Sequence, residues 1–188
     1  EEAATLTAQI DPLKAEKEAL NPKIYDLQQK LKSLNTQIAA AAKAQQDATQ
    51  KAAALQKQAT DQSNKAVYFL DLAEDNQREA DSFTAAAKER KDVGDTATAA
   101  EYEKKAADYQ ALANQAKADA DNAKTLAATY QSQGQAATAE ANAVSQQLAT
   151  LQADFTATTN TLNESTARRT FLQEEIKALQ APLVAEQA

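Results

Sequence analysis

The chain lacks cysteine, histidine, methionine and tryptophan, and its 188 residues include only two glycines and three prolines. Without Cys or His, the usual thiolate nucleophiles, imidazole bases, disulfides, zinc sites and haem ligation are excluded. So few glycines, with only five Tyr and four Phe, argue against an α/β or all-β globule with its many turns. The composition that remains is typical of long helices.

Charge and hydropathy argue against two kinds of partner. The net charge of −7 and the pI of about 4.7 are opposite to the basic footprint of nucleic-acid-binding proteins. The longest strongly apolar run, residues 66–70, is far shorter than the roughly 18 residues that cross a bilayer. We therefore expect no nucleic-acid partner and no membrane span.

The first residue is Glu1 rather than Met. We expect either a periplasmic or extracellular protein whose signal peptide has been removed, or an excised fragment. The absence of cysteine is compatible with the first expectation.

Core-type residues recur at alternating steps of four and three along nearly the whole chain, in two series that we call the seam. Such a heptad repeat is typical of a coiled coil, because steps of 3.5 keep one stripe facing a partner helix. The first series runs from Leu6 to Arg90 and the second from Ala99 to Leu183.

Residues between the two series have the chemistry of a turn. Gly94 suits the end of a helix, and Asp92 and Asp95 suit helix caps. Thr98 with Glu101 fits a capping box at the start of a helix. The sequence therefore predicts an all-α, antiparallel two-helix coiled-coil hairpin, with helices over about 6–91 and 98–183 and a turn over about 92–97.

The two series match when the chain is folded at this turn, since facing residues then keep one constant sum of residue numbers. Large seam residues meet small ones, which fills space without voids. The facing pairs include Leu6 with Leu183, Ile38 with Leu151, Leu55 with Gly134, Ala59 with Tyr130, Phe69 with Ala120, Ala80 with Tyr109, Phe83 with Ala106 and Ala87 with Tyr102. At the helical rise, the hairpin is expected to be about 130 Å long.

Seam composition divides the expected hairpin into two parts. The base, residues 1–40 with 149–188, is rich in Leu and Ile, whereas the distal arm, residues 41–148, is rich in Ala and aromatics. Alanine layers bury less apolar area, so the arm is expected to hold more weakly and its tip to fray first.

Two features interrupt the regular pattern. Pro12 and Pro22 fall at outward positions, so a kinked continuous helix and a string of short helices both remain open. Lys17, Gln45, Gln62, Asn76 and Arg169 are polar seam residues that either fix register or reach out to water.

Residues that could carry catalysis are few. Asp71, Glu74, Asp75 and Glu79 follow helical spacing, but a dinuclear bundle site needs converging Glu-x-x-His motifs. Asp92 and Asp95 could bind calcium weakly, although capping explains them better. With no phosphate loop, dinucleotide fingerprint or nucleophile elbow, we predict a protein that is not an enzyme and has no metal or cofactor.

Apolar residues outside the seam suggest a partner surface. Val67, Tyr68, Leu70 and Leu72 lie off the seam, and Leu72, Leu112 and Leu126 share heptad position g on one side of the hairpin. We predict that these six residues contact a protein partner, in particular another copy of the chain. The alternative is a broadened seam that covers thin alanine layers.

Residues 125–163 carry only two charges, Glu140 and Asp154. Such a face could pack laterally against neighbours at little desolvation cost. It could equally be an ordinary neutral polar surface.

These observations favour a non-enzymatic structural or self-assembling hairpin, a spacer or subunit of a periplasmic or extracellular assembly. The alternative is a binding module that clasps clients or docks on a larger complex, similar only in general shape to the hairpins of periplasmic chaperones and efflux adaptors. A membrane-surface helix is disfavoured by the acidic charge. The same register would also allow two opened chains to pair by domain swapping.

Overall fold

The computed structural model of the protein describes the backbone of residues 1–187 and the side chains of residues 1–185. It contains two helices, α1 over Glu2–Asp92 and α2 over Thr96–Gln187. Residues 1–187 are 98% helical and contain no strand, and the two helices pack against each other. The predicted all-α helical hairpin is therefore confirmed, with both helices longer than expected.

The buried residues follow the predicted seam. Every buried hydrophobic side chain occupies one of its positions, from Ile10 to Ala87 in α1 and from Ala99 to Ile176 in α2. Two buried polar residues, Thr158 and Ser165, also lie on it. Arg90, the last expected seam residue of α1, is exposed, so the buried stripe of α1 ends at Ala87.

The chain divides into two compact units. Unit 1 comprises Glu1–Gln46 and the chain from Asn142 onward, and unit 2 comprises Asp47–Ala141. These boundaries differ by several residues from the expected division at 40/41 and 148/149. The last residue of the expected base, 188, lies outside the described residues. The lower stability of helix packing in the distal arm stays a prediction.

Unit 2 shows the predicted pairing of a large with a small residue at Gly134, and contacts between large residues at Phe83. A methyl placed on Gly134 would lie 3.6 Å from the Leu55 Cβ, so these two residues face each other. Phe83 lies between Tyr102 and Tyr109, at ring-centroid distances of 5.8 and 5.7 Å. Those two tyrosines stand one turn to either side of Ala106, the expected partner of Phe83.

The turn is shorter than expected. Gly94 has φ +85°, and its N–H donates to the Lys91 carbonyl at 3.0 Å while the Asp95 N–H donates to the Arg90 carbonyl at 2.9 Å. This pattern is the Schellman motif that ends many helices. The turn thus consists of residues 93–95, and the expected range of 92–97 was too wide.

Asp95, rather than Thr98, caps α2. Its Oδ1 accepts a hydrogen bond from the Thr98 backbone N–H at 3.2 Å, and its carbonyl accepts the first helical bond, from Ala99 at 3.1 Å. The expected capping box at Thr98 and Glu101 is wrong because Thr98 is already the third helical residue. Asp92 is the last residue of α1.

Helix α1 runs without interruption through Pro12 and Pro22, and α2 through Pro182. Both α1 prolines are exposed, so the carbonyls that they leave without a helical donor face water. The alternative of a string of short helices is therefore wrong.

Candidate functional site

The sides of the hairpin differ between the two units. In an antiparallel coiled coil, the g positions of both helices share one side and the e positions share the other. We call these the g flank and the e flank. They are the first places where residues outside the seam can link helices or meet a partner.

Ion pairs bridge the helices along the g flank of unit 1. Arg168 donates to both carboxylate oxygens of Glu16, at 2.8 and 3.0 Å, and Lys30 Nζ lies 3.2 Å from Asp154 Oδ1. The residue numbers of the two pairs have the same sum, so the register does not change between them. The hydrogen bond from Arg168 lowers the pKa of Glu16, and the same bond raises the pKa of Arg168.

Polar links in unit 2 lie on the e flank instead. The amides of Gln77 and Gln110 exchange two hydrogen bonds, at 2.8 and 2.9 Å, and Lys91 forms an ion pair with Glu103. Neither link was anticipated from sequence, although all four residues occupy e positions. Both links could have been predicted by asking which e positions of the two helices lie opposite each other in the matched register.

The g flank of unit 2 carries three leucines, Leu72, Leu112 and Leu126, whereas no leucine occupies a g position of unit 1. Charged residues, among them Lys65 and Asp119, occupy other g positions of unit 2. An open groove on this flank is lined by Lys65, Tyr68, Phe69, Asp119 and Leu126, among others. The Tyr68 ring meets the Phe69 ring edge-on at 5.5 Å. We call Tyr68, Leu72, Leu112 and Leu126 the apolar patch.

All six predicted partner residues are exposed, but the structure does not bring them onto one surface. Tyr68 adjoins the g flank, whereas Leu70 lies on the e flank, in a groove with Gln77 and Lys117. Val67 lies beside Leu70, outside the patch. The exposed fractions are Val67 59%, Tyr68 62%, Leu70 37%, Leu72 37%, Leu112 53% and Leu126 44%.

The end of unit 2 near the turn holds an aromatic cluster. The rings of Phe83 and Tyr109 are nearly parallel, at 11°, and Lys105 Nζ lies 5.4 Å from the centre of the Phe83 ring. This cation–π contact covers one edge of the cluster. Exposed carboxylates surround the turn itself, and hydrogen bonds from the Thr98 side chain and backbone lower the pKa of Asp95.

Neither metal-binding nor membrane-spanning features occur among the described residues. The carboxylates of Asp71, Glu74, Asp75 and Glu79 do not form a metal-holding group, nor do any others within residues 1–187. No helical stretch in that range is apolar enough to cross a bilayer. No buried side-chain nitrogen or oxygen in the described chain lacks a hydrogen-bond partner.

Threonine hydroxyls in the weakly charged region 125–163 bond to their own helix. Thr129, Thr150 and Thr156, for example, each donate to the carbonyl four residues earlier, at 3.0 to 3.1 Å. Their hydroxyl hydrogens are therefore occupied within the helix. A lateral packing role for this region stays a prediction.

No protein-family model, curated protein or solved structure matches this chain.

Proposed function

We propose that the protein is a non-enzymatic structural hairpin, acting as a spacer or as a subunit of a periplasmic or extracellular assembly. The observation that supports this role is the burial pattern: all buried hydrophobic side chains lie on the seam between the two helices. These side chains hold the helices to each other. The same pattern does not supply the enclosed polar pocket in which an enzyme shifts pKa values.

A structural spacer must be ordered without a partner. Amide hydrogen exchange of the dilute, isolated protein tests this requirement, since it measures local opening along each helix. We expect protected amides in both units. Exchange of the unit 2 amides at the rate of an unfolded chain would contradict a spacer role, because such a segment cannot set a distance.

The exposed apolar side chains of unit 2 support a second candidate, a module that binds other proteins. Val67, Tyr68 and Leu112 are each more than half exposed, as a client-binding surface would require. Suppression of aggregation of a chemically unfolded test protein separates the two candidates. A spacer leaves aggregation unchanged, whereas a clasping chaperone slows it, and a variant with Tyr68→Gln and Leu112→Gln would lose that effect.

A further inference from the structure

We propose that a groove on the e flank of unit 1 binds a phosphate group through Lys17 and Arg169. The groove is open to solvent, and its lining includes Lys14, Lys17, Asn21, Gln173 and Lys177. All these residues belong to unit 1. The inference adds a ligand site to the hairpin and does not depend on the proposed structural function.

Lys17 and Arg169 interrupt the seam of unit 1 with two cations. Ile10 and Ile24, one heptad before and after Lys17, are 4% and 3% exposed, and Ile176, one heptad after Arg169, is 6% exposed. Lys17 and Arg169 occupy the same heptad position as these isoleucines but are only partly buried. A cation there stabilises the helix pair less than an apolar side chain would. Such a departure from the pattern is expected where a side chain serves a function.

No carboxylate neutralises either seam cation. The residues one turn before and after Lys17 and Arg169 include no Asp or Glu. Among the described side chains, no carboxylate oxygen lies within 4.0 Å of their nitrogen atoms. Arg168, the residue before Arg169, differs because it pairs with Glu16 on the g flank. The two seam cations therefore have charge available for a ligand.

The outer lysines of the groove are partly offset within their own helices. Lys14 has Asp11 three residues earlier and Glu18 four residues later, and Lys177 has Glu174 three residues earlier. Opposite charges at these spacings attract each other on a helix surface. The uncompensated positive charge of the groove therefore lies on the two seam cations.

The two seam cations lie close enough to meet one ligand. In the predicted register Lys17 faces Leu172, which is three residues, or about 4.5 Å of helix, from Arg169. Arg169 Nη1 reaches across the seam and donates to Asn21 Oδ1 at 3.3 Å. Because Asn21 lines the groove, this bond holds the guanidinium beside it. The Asn21 amide nitrogen remains available to donate to a ligand.

This set of donors favours a tetrahedral anion over a carboxylate. A guanidinium presents several N–H donors in one plane and an ammonium presents three more, so both can bind different oxygens of one phosphate. Gln173 adds an amide to the same groove. A carboxylate carries a single charge, so it would leave one of the two cations unpaired.

A titration with inorganic phosphate at constant ionic strength, followed by amide chemical shifts, tests the site. We expect saturable shifts confined to residues 14–21 and 169–177. Lys17→Gln and Arg169→Gln should each bind phosphate at least about fivefold more weakly, whereas Lys17→Arg, which keeps the charge, should stay within about threefold of the wild type. Shifts that do not saturate, or that are equal in Lys17→Gln, would overturn the proposal.

Lys23→Gln is the matched control. Lys23 is an exposed lysine of unit 1 at a g position, on the opposite flank. Its replacement removes the same charge from the chain and should leave the dissociation constant for phosphate unchanged. An equal loss of binding in Lys23→Gln and Lys17→Gln would show that phosphate responds only to net charge, which would overturn the site.

Thermal unfolding separates a ligand site from a structural role of Lys17. Lys17→Met should bind phosphate as weakly as Lys17→Gln yet melt at a higher temperature than the wild type, since an apolar side chain suits the seam. Phosphate should raise the melting temperature of the wild type more than that of Lys17→Met, whose increase measures the general effect of the salt. Equal increases would contradict binding at Lys17.

Vesicles distinguish a lipid headgroup from a soluble phosphate compound. Co-sedimentation with vesicles of phosphatidic acid, but not of phosphatidylcholine, that is lost in Lys17→Gln would identify the headgroup as the ligand. Binding of inorganic phosphate without such co-sedimentation would identify a soluble phosphate compound. Binding of neither probe would overturn the proposal.

Discussion

Unit 1 and unit 2 use one heptad pattern in different ways. Unit 1 buries Ile10, Ile24 and Leu172 in its seam and links its helices with ion pairs on the g flank. Unit 2 buries mostly alanines, and its leucines at positions 72, 112 and 126 lie on the g flank. Where small alanines form the seam, larger apolar residues therefore stand at its edge, exposed to water.

The largest difference between the units is expected when a charge is placed in the aromatic cluster of unit 2. Phe83→Asp removes a ring packed between Tyr102 and Tyr109 and puts a carboxylate there. We expect a loss of about 4 kcal/mol in unfolding free energy, measured by chemical denaturation, with faster amide exchange confined to unit 2.

The control for that variant is Phe171→Asp, since Phe171 is exposed in unit 1. This variant should lower the unfolding free energy by less than about 1 kcal/mol. Equally fast exchange in both units of Phe83→Asp would show instead that the two units open together.

A smaller loss of stability is expected when a buried seam residue of unit 1 is truncated. Leu172 is fully buried, so Leu172→Ala leaves a cavity and should cost about 3 kcal/mol in a denaturant titration. Leu112→Ala in unit 2 makes the same chemical change at an exposed site and should cost far less. Similar losses for the two variants would mean that Leu112 is covered in solution.

A substitution at Gly134 is expected to raise the unfolding free energy rather than lower it. The nearest atom to an added methyl would be the Leu55 Cβ at 3.6 Å, an ordinary contact distance. Gly134→Ala should therefore raise the unfolding free energy by about 0.8 kcal/mol, by removing the helix penalty of glycine. A lower melting temperature would show that even alanine overfills this layer.

The smallest effect concerns the pH dependence of unit 1. The pKa of Glu16 is lowered by Arg168, so its stabilising contribution is present above pH 4.5, the ordinary glutamate value, and is lost as pH falls through the lower folded value. Wild type and Glu16→Gln should therefore converge in melting temperature as pH falls through this range. A constant difference would show that the ion pair contributes nothing.

The fold could be predicted from sequence because burial repeats every seven residues in both series. Even the pairing of Leu55 with Gly134 followed from matching the two series. Two caps for α2 were expected, Asp95 and a capping box at Thr98 and Glu101, and only Asp95 caps the helix. The Schellman turn at Gly94 decides between them, because α2 begins directly after Asp95.

The candidate site could be predicted only in part. Heptad positions indicated that Leu72, Leu112 and Leu126 share a side, and the exposure of all six predicted residues agrees with an uncovered surface. Val67 and Leu70 were grouped with them because they are neighbours in sequence. A helix turns by about 100° per residue, so sequence neighbours face different directions.

The three-residue turn also bears on the order in which the chain folds. Pairing next to residues 93–95 closes very short loops, whereas pairing Glu16 with Arg168 encloses most of the chain. Loop closure costs more entropy as the loop lengthens, and contacts near in sequence form faster. Folding should therefore begin at the turn and proceed towards the termini. Unit 2 then assembles first and brings together the two chain segments that form unit 1.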